Sequence, residues 1–141
     1  MILVDSDHLS VLADHRHRRQ PALRRRLHES GAVIALPIVA VEEHLRGWLA
    51  EIHRVRQPHQ QIVPYLRFAK LIDFLREWQI VGWNEPAADA LVKLRRQRIR
   101  IGTQDLKIAA IALANDALLL SANLRDFNRV PLLQVEDWLF D

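Results

Sequence analysis

The tightest constraint on this chain is a series of apolar runs only a few residues long, some of which stop on or just before a carboxylate. "MILVD" (1–5) ends on Asp5, "AVIALP" (32–37) is stopped by Pro37, and "IVGW" (80–83) and "ALLLS" (117–121) follow. "LLQV" (132–135) offers a fifth run. Runs this short and this continuously apolar read as strands covered on both faces rather than as helices. Between them lie longer stretches with apolar residues three and four apart, the period of an amphipathic helix. "VAVEEHLRGWLAEIHRV" (39–55) carries Val41, Leu45, Trp48, Leu49 and Ile52 in this way. After a break at Pro58, "IVPYLRFAKLIDFLREW" (62–78) carries Leu66, Ala69, Ile72 and Leu75. "DHLSVLAD" (7–14), the arginine-rich stretch to about Ser30, "EPAADALVKLRRQ" (85–97) and Gln104 to Asn115 complete the helical set, and "EDWLF" (136–140) reads as a short closing helix. Strands alternating with helices predict an α/β fold with a mostly parallel sheet of four to five strands.

With 141 residues, half of them hydrophobic, the chain suits one domain (1–141) around one sizeable core. No apolar run approaches the eighteen or so residues of a membrane span. No basic segment precedes the first apolar run, so no secretory signal is expected. The absence of cysteine excludes disulfides and thiolate chemistry and fits a reducing compartment.

An open α/β sheet binds its ligands outside the carboxyl ends of its strands. Asp5 and Asp7 follow the first strand, and Glu42 and Glu43 stand in the helix after the second. Asn123 and Asp126 follow the fourth. Asp105 opens the helix that feeds that strand, and such a helix begins at the same edge if it runs antiparallel to the strand. Acids from four distant places could therefore converge. Taken singly, each has a plainer role as a strand end, a helix cap, a first-turn charge or an Asx-turn residue. Taken together they suggest a shared cation, because like charges gathered at one place repel unless a cation or proton intervenes. Hard oxygen donors of this kind suit Mg²⁺ or Mn²⁺, which can activate a water and offset charge on a phosphate.

The net charge is +3, but the basic residues are clustered. "HRHRRQPALRRRLH" (15–28) holds six arginines, among them Arg16, Arg18 and Arg19, and "KLRRQRIRIG" (93–102) includes Arg95, Arg96, Arg98 and Arg100 with no acid. Such clusters are either solvated helix faces or contacts for a nucleic-acid backbone, and arginine favours the second because its planar fork matches phosphate oxygens. His8, next to the first acids, could shuttle a proton, contact a ligand or simply fill the first turn of its helix.

Four segments, "ILVDSDHLS", "VEEHLRG", "IGTQDLKIAAIAL" and "LLLSANLRDF…VPLLQVEDW", in this order and over nearly the whole chain, resemble the PIN-domain ribonucleases, specifically the VapC-like toxins of toxin–antitoxin pairs. The resemblance implies an α/β/α sandwich, here with a helical hairpin in the middle of the chain. It also implies an Mg²⁺- or Mn²⁺-dependent endoribonuclease acting on RNA in the cytoplasm, a homodimer, and a cognate antitoxin that blocks the site. Carried over by motif, Asp5, Glu43, Asp105 and Asp126 are the catalytic, metal-holding acids. Glu43 is preferred to Glu42 because it lies four residues before Gly47. Asn123 matches a further metal-site position. Asp7 departs from the family, which often has Asn there, and adds a charge without an assigned role. A non-catalytic binding module on the same fold and a nuclease acting on DNA are the alternatives.

Overall fold

The computed structural model describes residues 1–140 and is built on five short parallel strands. They are β1 (Ile2–Val4), β2 (Ile34–Pro37), β3 (Gln79–Val81), β4 (Leu118–Leu120) and β5 (Gln134–Glu136). Their order across the sheet is β3-β2-β1-β4-β5, and every neighbouring pair is parallel. The helices are α1 (Ser6–Ala13), α2 (Gln20–Glu29), α3 (Ile38–Arg54), α4 (Ile62–Leu75), α5 (Glu85–Arg96), α6 (Thr103–Ala114) and α7 (Leu124–Phe127). A 3₁₀ turn at Pro58–Gln61 separates α3 from α4, where the proline was expected to break the helix.

Alternation along each strand divides the core in two. Leu3, Ala35 and Leu119 join a cluster with Leu91 and Leu94 of α5 and with Ile108, Ala109, Ile111 and Ala112 of α6. Ile2, Val4, Leu36 and Leu120 join a second cluster with Leu9 and Leu12 of α1, Leu23 and Leu27 of α2, and Leu71 and Leu75 of α4. Helices cover both faces, giving a three-layer α/β/α sandwich. Ala109, Ala110 and Ala112 are fully buried. Their small side chains let α6 lie close on the sheet, which fixes where its first turn ends up. Gly31, at φ +66°, ends α2 in the left-handed conformation that glycine adopts without a Cβ penalty and turns the chain into β2.

Three sequence expectations are corrected. The stripe expected on α4 from Leu66, Ala69, Ile72 and Leu75 is not the buried one. Leu66 and Ile72 are exposed, and the inward face is Leu71 and Leu75, with Phe74 and Trp78 packed at its margin. The sequence is apolar nearly all round this helix, so spacing alone selects no face. Leu49 on α3 is likewise exposed. The fifth strand expected at 132–135 forms at Gln134–Glu136, but the short helix expected at 136–140 does not: beyond Glu136 the chain is irregular up to Phe140. A five-residue helix leaves most of its backbone groups free, and here the Trp138 and Leu139 amides are met instead by His8 Nε2 and the Asp137 side chain.

The face assignment on α4 is testable by urea unfolding. Leu71→Ala is expected to cost about 2–5 kcal/mol, whereas Leu66→Ala should stay within about 0.5 kcal/mol of the unsubstituted protein.

Candidate active site

The site forms where β1 and β4 end side by side. The parallel register sets Val4 opposite Leu120, so the next residues, Asp5 and Ser121, leave the sheet together. The Asp5 amide donates to the Leu120 carbonyl at 2.9 Å, prolonging the ladder by one bond. Ser121, fully buried, donates its hydroxyl to Asp5 Oδ2 at 2.8 Å. Asp5 Oδ1 accepts the Ser6 amide at 2.7 Å as Asp5 opens α1. Asp5 is only 4% exposed. Burial, then the neighbouring charge of Asp7, with a smaller push from Glu43, lifts its carboxyl from an ordinary 3.8 to about 7 against the pull of the Ser121 and Ser6 bonds.

Glu43 reaches the cluster from α3. Its Oε2 accepts the Ser6 hydroxyl at 3.1 Å. Its pKa is raised by burial and, beyond that, by Asp105 and Glu42. Glu42 faces away: Oε2 pairs with Arg46 one turn on at 3.0 Å, and Oε1 accepts Gln104 Nε2 at 2.9 Å. The pair of glutamates is thereby resolved, with Glu43 inside the cluster and Glu42 outside it.

Asp105 stands in the first turn of α6, and that turn does begin at the carboxyl edge of the sheet. Asn123 Nδ2 donates to Asp105 Oδ2 at 3.1 Å and to Asp126 Oδ2 at 3.2 Å, so one amide spans the two acids. Burial raises the Asp105 pKa, Asp126 adds to it, and the Asn123 bond opposes it. Asn123 and Asp126 are therefore joint members of this corner. The expected site residues Asp5, Glu43, Asp105, Asn123 and Asp126 all come to one edge.

Asp7 behaves differently. Oδ1 accepts both the His8 amide and His8 Nδ1 at 2.6 Å, and Oδ2 accepts the Ala122 amide at 2.9 Å and the Ser121 hydroxyl at 3.3 Å. Burial disfavours its charge, but the bonds from His8 and Ala122 outweigh this and hold its pKa below the ordinary value. The added charge is thus absorbed by structural donors and ties the loop after β4 to α1. His8 is fully buried, and its Nε2 accepts the Trp138 amide at 3.0 Å, leaving Nδ1 as the N–H that faces Asp7. It is a strut to the chain end and not a surface group near a ligand.

Ser6 and Ser121 hold two of the acids and were not singled out in the sequence. Their only signal there is position, each being the first residue past a strand or its closing acid. Among the expected nucleic-acid contacts, Arg16, Arg18, Arg95, Arg96, Arg98 and Arg100 are exposed. Arg19 is not available for that role. Its Nη1 donates to the Leu139 carbonyl and its guanidinium lies over the Phe140 ring, 5.1 Å from the centroid. The segment after β5 claims it.

The chain is similar to known proteins in both sequence and fold. The chain is 31% identical over 74 residues to ribonuclease VapC2 of Rickettsia felis and 34% identical over 80 residues to ribonuclease VapC2 of Haemophilus influenzae, in each case over about half of this chain. It spans 55% and 61% of the length of those relatives. A chain in the crystal structure of VapBC2 from Rickettsia felis bound to a promoter DNA fragment matches over 98% of this chain and 99% of its own, with a TM-score of 0.69 at 23% identity. A chain of DNA-bound VapBC from Salmonella typhimurium matches over 97% of each, with a TM-score of 0.74 at 18% identity. The chain is thus similar to VapC ribonucleases in sequence over about half its length, and to chains of VapBC complexes in fold over nearly all of it. No family model matches it. The likeness in fold covers nearly the whole chain, and the segment between Ile52 and Trp78 forms the end of α3, the 3₁₀ turn and α4.

The raised pKa of Asp5 fixes the sign of a stability effect. Between the ordinary value of 3.8 and about 7, the folded chain holds a proton on Asp5 that the unfolded chain has released. Stability of the metal-free protein should therefore fall as pH rises through this window, by up to about 4 kcal/mol at about 1.4 kcal/mol per decade. Asp5→Asn, melted in EDTA, is expected to flatten the decline between pH 5 and pH 8 and to raise the melting temperature at pH 8. An unchanged slope would show that Asp5 is ionised throughout.

Proposed function

We propose that this chain is a divalent-metal-dependent endoribonuclease, the toxin of a toxin–antitoxin pair. The observation that carries the reading is the gathering of Asp5, Glu43, Asp105 and Asp126 at one sheet edge, where burial and mutual repulsion raise the pKa of the first three. Structural and curated relatives that are VapC ribonucleases and VapBC complexes support it.

The donor set suits Mg²⁺ or Mn²⁺ in chemistry. Among the described residues no three His, Asp or Glu side chains form a group that would hold an ion unaided. Mg²⁺ typically keeps several waters and takes only one or two carboxylates together with substrate phosphate oxygens, so a site completed by substrate is compatible with this spacing. Asp5, Glu43 and Asp105 are the carboxylates that would hold the ion, with Asp126 and Asn123 beside Asp105. When bound, such an ion supplies Lewis acidity that offsets the charge developing on the phosphodiester. The protein's own contribution is orientation. Ser121 and the Ser6 amide fix the Asp5 carboxylate, the Ser6 hydroxyl fixes Glu43, and the Asn123 amide sets Asp105 against Asp126. A free carboxylate of raised pKa in this ring can also accept the proton that an attacking water gives up. The exposed arginines would hold the RNA backbone, and unpaired strands or loops suit an open edge better than a duplex does.

Cleavage of single-stranded RNA in Mg²⁺ or Mn²⁺, with matched DNA alongside, is the test. Asp105→Asn is expected to lower the rate at least about 100-fold, beyond the 10- to 100-fold typical of a partner that only orients a metal-holding group, and Ser6→Ala should fall in that latter range. Equal cleavage by Asp105→Asn would remove the acids from the chemistry, and preferential cleavage of DNA would change the substrate. Coexpression with a protein encoded beside it should suppress the activity if the chain is a toxin.

A further inference from the structure

Gly47 lies inside the seventeen-residue helix α3, one turn beyond Glu43 on the same face. A helix-interior glycine is unfavourable relative to alanine. Its backbone is not left-handed, and a Cβ built there would meet no atom within 4 Å, so neither conformation nor packing asks for glycine. What a side chain would enter is a groove of about 550 Å³ between α1, α3 and α4, within the size range of small-molecule sites. Ser6 and Glu43 belong both to this groove and to the acid cluster, so the groove opens directly off the site.

The walls are of two kinds. On one side stand Trp48 and His44, with Trp48 Nε1 donating to His44 Nε2 at 3.4 Å and Ser10 Oγ 3.3 Å from His44 Nδ1. With Nε2 accepting the indole N–H, His44 presents a neutral ring in this geometry. This wall is aromatic and uncharged. On the other side is Arg67, which is exposed and forms no ion pair among the described residues, whereas Glu51 is already paired with Arg54. A neutral aromatic wall facing an unpaired guanidinium fits a nucleobase joined to a phosphate.

We propose that this groove receives the nucleotide adjoining the cleaved phosphodiester, its base against Trp48 and its far phosphate towards Arg67, and that Gly47 is bare so that the base can enter. The inference rests on the RNA reading of the acid site, but its test does not need cleavage. Binding of a fluorescein-labelled single-stranded RNA oligonucleotide is followed by anisotropy in Ca²⁺, for Gly47→Leu and Gly47→Gln, both of which fill the groove while improving helix propensity. Each is expected to bind at least about ten-fold more weakly, within the span of about 5- to 150-fold that one stacked base contributes. The far-ultraviolet circular dichroism and melting temperature of both variants should match or exceed those of the unsubstituted protein, which separates a filled groove from a misfolded chain. Arg67→Gln, at an exposed position that does not threaten folding, is expected to weaken binding and to lower the slope of log affinity against log salt by about one.

Oligonucleotide binding within about two-fold for both Gly47 variants overturns the proposal. So does a groove whose filling spares RNA but abolishes binding of a protein partner, which would make it a protein-docking surface. Binding that depends on Gly47 in a protein that cleaves no RNA in Mg²⁺ or Mn²⁺ would support the groove and reject the ribonuclease reading.

Discussion

The hydrogen bond from the buried Ser121 hydroxyl to Asp5 is the joint on which the site depends. It exists because β1 and β4 are parallel neighbours in register, so that both end at the same height. From Asp5 the constraint passes to Ser6, whose amide binds Asp5 and whose hydroxyl binds Glu43. From Ser121 it passes to Asn123, whose amide nitrogen donates to the Ser121 oxygen at 3.0 Å and whose side chain spans Asp105 and Asp126. Two short serine side chains thus connect acids separated by most of the chain.

The two aspartates that flank Ser6 show how environment divides identical groups. Asp5 is buried with few donors beside other acids, and its proton is held to about pH 7. Asp7 meets two amides and an imidazole N–H, and its ionised form is favoured. Asp7 is consequently a fixed negative charge that also raises Asp5. A saturated carboxylate has few lone pairs left for a cation, whereas a strained one gains by meeting one. This electrostatic contrast, and not proximity alone, separates a group that could hold an ion from one that holds the protein together.

The strands were legible because each is a nearly unbroken apolar run, which only a doubly covered sheet explains, and their carboxyl ends pointed to the acids. Asp105 was legible only through topology, since its place follows from the direction of α6 and not from nearness to a strand end. The inward face of α4 was not legible. With Ile62, Val63, Leu66, Ile72 and Phe74 around it, several stripes fit the same spacing, and contact with the sheet decides between them. Ser6 and Ser121 were hidden for a different reason: a hydroxyl gains its role from what lies across the gap, and sequence does not display gaps. The fate of Arg19 was equally hidden, because its partner lies 120 residues away at the other end of the chain.

The duplicated glutamates on α3 yield to geometry once the helix is anchored. Successive residues on an α-helix are about 100° apart, so Glu42 and Glu43 cannot face the same place. Val39 and Ala40 pack into the cluster beneath α5 and α6, while Val41 packs into the one beneath α1 and α4. The first turn of α3 is therefore wedged across the end of the sheet with little freedom to rotate. That wedge aims Glu43 at Ser6 and sends Glu42 outwards to Arg46 and Gln104. The same rotation carries Gly47 and His44 along the groove side of the helix. The packing of three small apolar residues thus decides at once which acid joins the cluster and which surface leads away from it.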